Sequence, residues 1–102
     1  LVFILQRGVR FPQGPPFMVY FVYMLLSKNK DKLISYVGYT NNLKKRLSLH
    51  NNSKGAKFTK GRKWEIIYYK KYLSKSDALK GEYKLKKDYN LRIKIKKNFI
   101  KT

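Results

Sequence analysis

Val19-Tyr20-Phe21-Val22-Tyr23-Met24-Leu25-Leu26-Ser27-Lys28-Asn29-Lys30-Asp31-Lys32-Leu33-Ile34-Ser35-Tyr36-Val37-Gly38-Tyr39 is the stretch on which the fold turns. Residues 19–26 are almost all apolar or aromatic, which suits a buried strand of ordinary length. Residues 27–32 are polar and contain Asn29 and Asp31, and residues 33–39 return to apolar and β-branched side chains. Two such runs across a short polar turn predict an antiparallel hairpin, with Gly38 at its end.

Working forward, Thr40, Asn41 and Asn42 are good helix caps, and residues 43–51 have helical spacing. At about 100° per residue, Leu43, Leu47, His50 and Arg46 share one arc, while Lys44, Lys45 and Ser48 point away. A cation and an imidazole thus lie at the edge of a buried face, either as packed structural residues or as chemistry. Residues 51–63 carry Gly55, Gly61 and five cations, Lys54, Lys57, Lys60, Arg62 and Lys63. That composition suits a loop touching a phosphate backbone, or a merely solvated one. Residues 64–73 predict a further strand bearing Ile66, Ile67, Tyr68, Tyr69 and Tyr72.

Ser74 with Asp77 forms a shortened capping box, Leu73 is placed to staple onto Ala78, and a helix over 75–87 follows. Its apolar stripe is Ala78, Leu79 and Leu85, and Glu82 stands inside that stripe. An uncompensated buried carboxylate is costly, so either a cation of the protein or a metal ion must answer it. Residues 90–100 alternate apolar and basic side chains and suit a short strand or a closing helix equally.

Working backward, all three prolines fall before Met18, and every lysine falls at Lys28 or later. Residues 1–17 read as an appendage, vector-derived or an upstream misreading, with Met18 a natural start and 18–102 a single domain. A genuine N-terminal arm packed on the domain is the other reading. No run approaches the ~20 apolar residues of a membrane span, and the opening apolar run is too short for a signal segment, so a cytoplasmic chain without a membrane partner is expected.

Composition limits the chemistry. The chain has 102 residues, 25 Lys plus Arg against 5 Asp plus Glu, and a formal charge of +20, yet 43% of it is hydrophobic. This describes a small globular domain with a polyanion as default partner, although 20 of the 25 cations are lysine, a bias that AT-rich coding also produces. Without cysteine, zinc fingers and thiol nucleophiles are excluded, and a single histidine excludes multi-imidazole metal sites.

The order strand, strand, helix, basic loop, strand, helix carries a resemblance. Phe21-Val22-Tyr23 and Tyr36-Val37-Gly38 resemble the two halves of the GIY-YIG nuclease signature; Arg46, His50 one turn later, and Glu82 in the second helix follow in the family's order. The similarity covers residues 19 to about 87, and is nearest to the small stand-alone bacterial YhbQ-like branch and the nuclease domain of Slx-type endonucleases. Lys54-Gly55-Ala56-Lys57 and Glu82-Tyr83 sit where that branch has similar residues. Two departures stand out: the first half lacks its glycine, and Tyr39 stands where nucleotide-excision relatives have lysine. The zinc-binding domain of Slx-type enzymes has no cysteines here to form it.

The resemblance implies an α/β (α+β) fold, a small three-stranded antiparallel sheet flanked by helices. It also implies hydrolysis of DNA phosphodiester bonds, with Tyr23 as base relayed through His50, Arg46 as phosphate clamp and Tyr36 positioning water or phosphate. Glu82 would be the ligand of a single Mg²⁺ or Mn²⁺. Proximity of Arg46 and the metal is expected to favour the Tyr23 phenolate, against its ordinary pKa near 10. Lys54, Lys57, Lys60, Arg62 and Lys63 are the expected nucleic-acid contacts, reading structure rather than base sequence, with or without a separate targeting protein. A non-catalytic nucleic-acid-binding domain of the same fold and a ribosome-associated basic protein are the alternatives.

Overall fold

In the computed structural model, which describes residues 2–4, 19–29 and 32–100, the expected hairpin forms as β2 (Tyr20–Asn29) and β3 (Lys32–Thr40). It is longer than the sequence suggests. Pairing continues to Asn29↔Lys32, so Ser27 and Lys28 belong to the strand rather than to the turn, and Asp31 lies outside the described residues. Gly38 does not end β3 either: it faces Tyr23 in mid-ladder, and the strand runs on to Thr40.

Strand β4 (Glu65–Tyr72) pairs antiparallel with the other side of β2, completing the three-stranded antiparallel sheet expected of an α+β domain. A three-residue strand, β1 (Val2–Ile4), lies along the outer edge of β4, giving the order β1-β4-β2-β3. The rest of the 1–17 segment and Met18 lie outside the described residues.

Because β2 is central, both of its faces are covered, which explains its unbroken apolar run. Val22, Met24 and Leu26 face one cluster, and Phe21, Tyr23 and Leu25 face the other. The register slips by one residue between Met24 and Leu25, with Tyr68 and Ile66 as their partners. This β-bulge at Ile67 puts Ile67 and Tyr68 on the first face, and Ile66 and Tyr69 on the second. Each fully buried side chain such as Met24, Leu25 or Ile67 contributes about 1.5–3 kcal/mol.

Two helices cover the first face. Helix α2 (Lys75–Lys87) is capped by Ser74, whose hydroxyl accepts from the Asp77 N–H at 3.1 Å. It buries Ala78 and Leu85, whereas Leu79 is 42% exposed and Leu73 80% exposed. The apolar stripe is therefore narrower than expected and the Leu73 staple does not close. Residues 90–100 resolve as helix: α3 (Tyr89–Ile100) opens with Asp88 accepting from the Leu91 N–H, and buries Ile95 and Phe99 one turn apart. Helix α1 (Leu43–Asn51) packs Leu43 and Leu47 on the second face, and Asn42 caps it through Lys45 N–H at 3.1 Å. No described helix is long and apolar enough to cross a membrane.

Candidate active site

The second face of the sheet holds the chemistry. Tyr23 projects from the middle of β2 and is 1% exposed, and His50, in the last turn of α1, is fully buried. The Tyr23 hydroxyl and His50 Nε2 are 2.8 Å apart. On the far side of the ring, His50 Nδ1 lies 2.8 Å from Oγ1 of Thr59, which is also fully buried and donates its own proton to the Ala56 carbonyl at 2.8 Å.

This chain of bonds has one direction. With its hydrogen committed to Ala56, the Thr59 hydroxyl can only accept from His50, so Nδ1 carries the imidazole proton. Nε2 is then a lone pair, and Tyr23 donates to it. Three buried polar groups are satisfied in sequence, and the phenol oxygen can still accept. Arg46 Nε donates there at 3.4 Å, at the long end of hydrogen bonding.

Two glycines make this packing possible. A Cβ on Gly38 would stand 2.6 Å from the Tyr23 hydroxyl oxygen and 2.8 Å from Cζ. One on Gly55 would collide with Nδ1 of His50. Thr59 is fixed in turn by its loop: it closes a 3-10 turn (Lys57–Thr59), and its carbonyl accepts from Trp64 Nε1 at 2.9 Å. Asn51 and Trp64 bond reciprocally, Asn51 Oδ1 accepting from Trp64 N–H at 2.6 Å and Asn51 Nδ2 donating to the Trp64 carbonyl at 3.2 Å. The end of α1 is thereby tied to the start of β4, with the loop held beneath the imidazole.

Electrostatics set the resting protonation. Burial, foremost, pushes the Tyr23 phenol up to about 12, outweighing the opposite pull of Arg46. Arg46 does pull the phenol toward ionisation, as expected, but burial weighs more. Burial and then the neighbouring Arg46 charge push His50 down to about 4. Arg46 is held still further above its ordinary value, chiefly through its hydrogen bond to Tyr23.

Tyr36, on β3, completes the cluster with its ring centroid 5.2 Å from that of His50. The exposed Phe58 stacks on Tyr36 at 6.2 Å with 20° between the planes. A hollow of about 270 Å³ opens at this edge, lined by Ser35, Tyr36, Val37, Phe58, Lys86 and Arg92. Helix α2 supplies Glu82 to the same region: its charge acts on Tyr23, its side chain is 18% exposed, and Lys86 Nζ stands 3.7 Å from its Oε1. Such a loose i,i+4 pair with a half-exposed lysine answers the charge only weakly. Tyr23, Tyr36, Arg46 and His50 thus form one contact cluster, with Glu82 in electrostatic reach.

The loop cations divide. Lys60, Arg62 and Lys63 line a common hollow with Ser27 and Lys28, while Lys54 and Lys57 are exposed elsewhere on the loop. Sequence reasoning missed Thr59, the ring contacts of Gly38 and Gly55, and Lys86 and Arg92. Of these, Gly38 and the Gly55 segment had a signal, each through its place in the family resemblance.

A family model described as the GIY-YIG catalytic domain matches residues 19–97. A UPF0213 protein of Oceanobacillus iheyensis is 44% identical over 68 residues, covering 66% of this chain and 76% of the relative. UPF0213 proteins of Clostridium perfringens and Staphylococcus haemolyticus are each 42% identical, over 64% and 63% of this chain and 70% and 78% of the relatives. No solved structure matches the chain significantly. The family match runs from the head of β2 into the last turns of α3 and takes in every element that builds the cleft, so the chain belongs to the GIY-YIG family.

Proposed function

We propose that this protein is a divalent-metal-dependent endonuclease that hydrolyses phosphodiester bonds of DNA, choosing its site by nucleic-acid shape rather than base sequence. The observation that carries this reading is the directed chain from Tyr23 through His50 to Thr59, with Arg46 on the open side of the same phenol oxygen.

In this mechanism Tyr23 need never exist as a free phenolate. A water attacking phosphorus gives its proton to the Tyr23 oxygen as Tyr23 passes its own to His50 Nε2, leaving a neutral phenol and an imidazolium. The new P–O bond forms in line with the P–O3′ bond that breaks, and the departing O3′ takes its proton from solvent. Arg46, charged throughout, faces the charge that develops on the phosphoryl oxygens, and Tyr36 orients the phosphate. With His50 near 4 in the free protein, the relay needs help, and the anionic phosphate gives it: negative charge beside the imidazole favours its protonated form.

Glu82 fits a hard divalent cation. It is a part-buried carboxylate with a weakly held partner, and the described residues contain no group of three or more His, Cys, Asp or Glu. One carboxylate, with water and substrate phosphate for the remaining ligands, suits Mg²⁺ or Mn²⁺. Such an ion, when bound, would supply Lewis-acid stabilisation of the phosphoryl group.

The test is incubation of purified protein with flapped, branched and linear DNA and with RNA, in Mg²⁺ or Mn²⁺, beside Glu82→Ala. Cutting by wild type with none by Glu82→Ala, while both bind, is the expected result. No cutting above the variant under any of these conditions would leave a nucleic-acid-binding domain instead.

A further inference from the structure

Arg62 Nη1 is buried and has no hydrogen-bond partner among the described residues. A guanidinium nitrogen left in this way loses its hydration and gains nothing in return, so the group suits an acceptor that the described residues do not supply. The hollow beside it is lined by Ser27, Lys28, Lys60, Gly61, Arg62 and Lys63, and four of those six are cations with no acid among them. Its volume is about 370 Å³, an order of magnitude above the ~30 Å³ share of one water molecule. The wall is preformed: Ser27 is 3% exposed and fixed in the β2 ladder opposite Ile34, and Gly61, at φ 75°, turns the loop while its N–H donates to Ser53 Oγ at 3.0 Å.

This hollow is separate from the reactive cleft. Ser27 lies four residues beyond Tyr23 on the same face of β2, which at ~3.3 Å per residue is about 13 Å.

We propose that Ser27, Lys28, Lys60, Arg62 and Lys63 form a second phosphate site, which holds a backbone phosphate of the substrate other than the scissile one. The proposal rests on the nucleic-acid reading above but not on cleavage. Arg62 would supply its free donor and the lysines charge, while Ser27 supplies a hydroxyl and a rigid floor. Scissile and distal phosphates held together fix the direction in which the strand crosses the sheet.

The experiment is anisotropy of fluorescein-labelled DNA and of RNA of the same sequence, over a range of KCl and in EDTA so that nothing is cut. Arg62→Gln is expected to weaken binding roughly tenfold and to lower the slope of log K against log[salt] by about 1, with Lys28→Gln lowering it similarly. Lys80→Gln, an exposed cation on α2, is the charge control, and thermal melting checks each fold. Lys28 is exposed, so its variant stays informative if Arg62→Gln fails to fold. Losses shared by DNA and RNA support a backbone site, and losses confined to one name the nucleic acid it takes. Unchanged slopes for Arg62→Gln and Lys28→Gln, or losses no larger than that of Lys80→Gln, overturn the proposal. If these variants bind weakly and the wild type never cuts, the site stands and the hydrolase reading falls; if they bind normally and the wild type cuts, the reverse holds.

Discussion

Adding one methyl group in Gly38→Ala tests whether the glycine of β3 is there for the phenol of Tyr23. The new Cβ would begin 2.6 Å from the hydroxyl oxygen, and ordinary contact starts near 3.4 Å, so ring and strand must separate by about 0.8 Å. The ring is not free to retreat. Taken along its bond to His50, that displacement stretches 2.8 Å to about 3.6 Å, outside hydrogen-bonding range. Overpacking of this kind costs about 1–3 kcal/mol, and in a domain of this size each kcal/mol lowers Tm by about 4–8 °C. Misplacing a reacting group by about 1 Å costs on the order of 10²-fold in rate. The assays are thermal melting and single-turnover cleavage of labelled DNA. A double variant with Tyr23→Phe removes the nearest clashing atom, so its stability loss should be smaller than the sum of the two single losses. Wild-type Tm and rate in Gly38→Ala would refute the reasoning, because the glycine would then serve the strand and not the site.

Thr59→Val keeps the shape but strands His50 Nδ1–H, while the Ala56 carbonyl keeps its bond from the backbone N–H of residue 59; a loss of about 1–3 kcal/mol and of most cleavage is expected, with Thr59→Ser retaining both. Wild-type behaviour of the valine variant, measured by melting and cleavage, would break the tautomer argument. Stability should also depend on pH through His50. Its folded pKa, about 4, lies below the ordinary 6.5, so the unfolded chain binds the proton first; the stabilisation is complete above pH 6.5 and falls away as pH drops from there to about 4. At ~1.36 kcal/mol per pH unit this amounts to about 3 kcal/mol, visible in urea melts and absent from His50→Gln. The acid limb of kcat/KM, which reports the free enzyme, should lie near 4 and that of kcat higher, where substrate phosphate supports the imidazolium.

Much of the fold was legible because burial leaves period and composition behind. The β2 run, the arc of Leu43, Arg46, Leu47 and His50, and the Ser74 cap all write themselves into spacing. The hairpin turn is narrower than polarity suggests because Ser27 and Lys28 are polar yet paired, Ser27 being buried for reasons no hydropathy pattern carries. Residues 90–100 stayed ambiguous since Ile93 and Ile95 fit period two, while the one-turn pair Ile95 and Phe99 decides for helix only once a face exists to bury it. At the site, the tyrosines, Arg46, His50 and Glu82 were findable through the family signature. Thr59 was not, because a threonine in a basic loop looks like any solvated residue until the loop folds under an imidazole.

In the proposed mechanism one phenol, Tyr23, passes a proton inward while accepting another from water. Tyr23→Phe removes that oxygen and little else, so its single-turnover cleavage rate, measured beside wild type in Mg²⁺ or Mn²⁺ with melting and DNA binding as checks, tests the claim most directly. A folded variant that binds DNA and cuts at least ~10²-fold more slowly is the result predicted. A folded variant that cuts at the wild-type rate would contradict it.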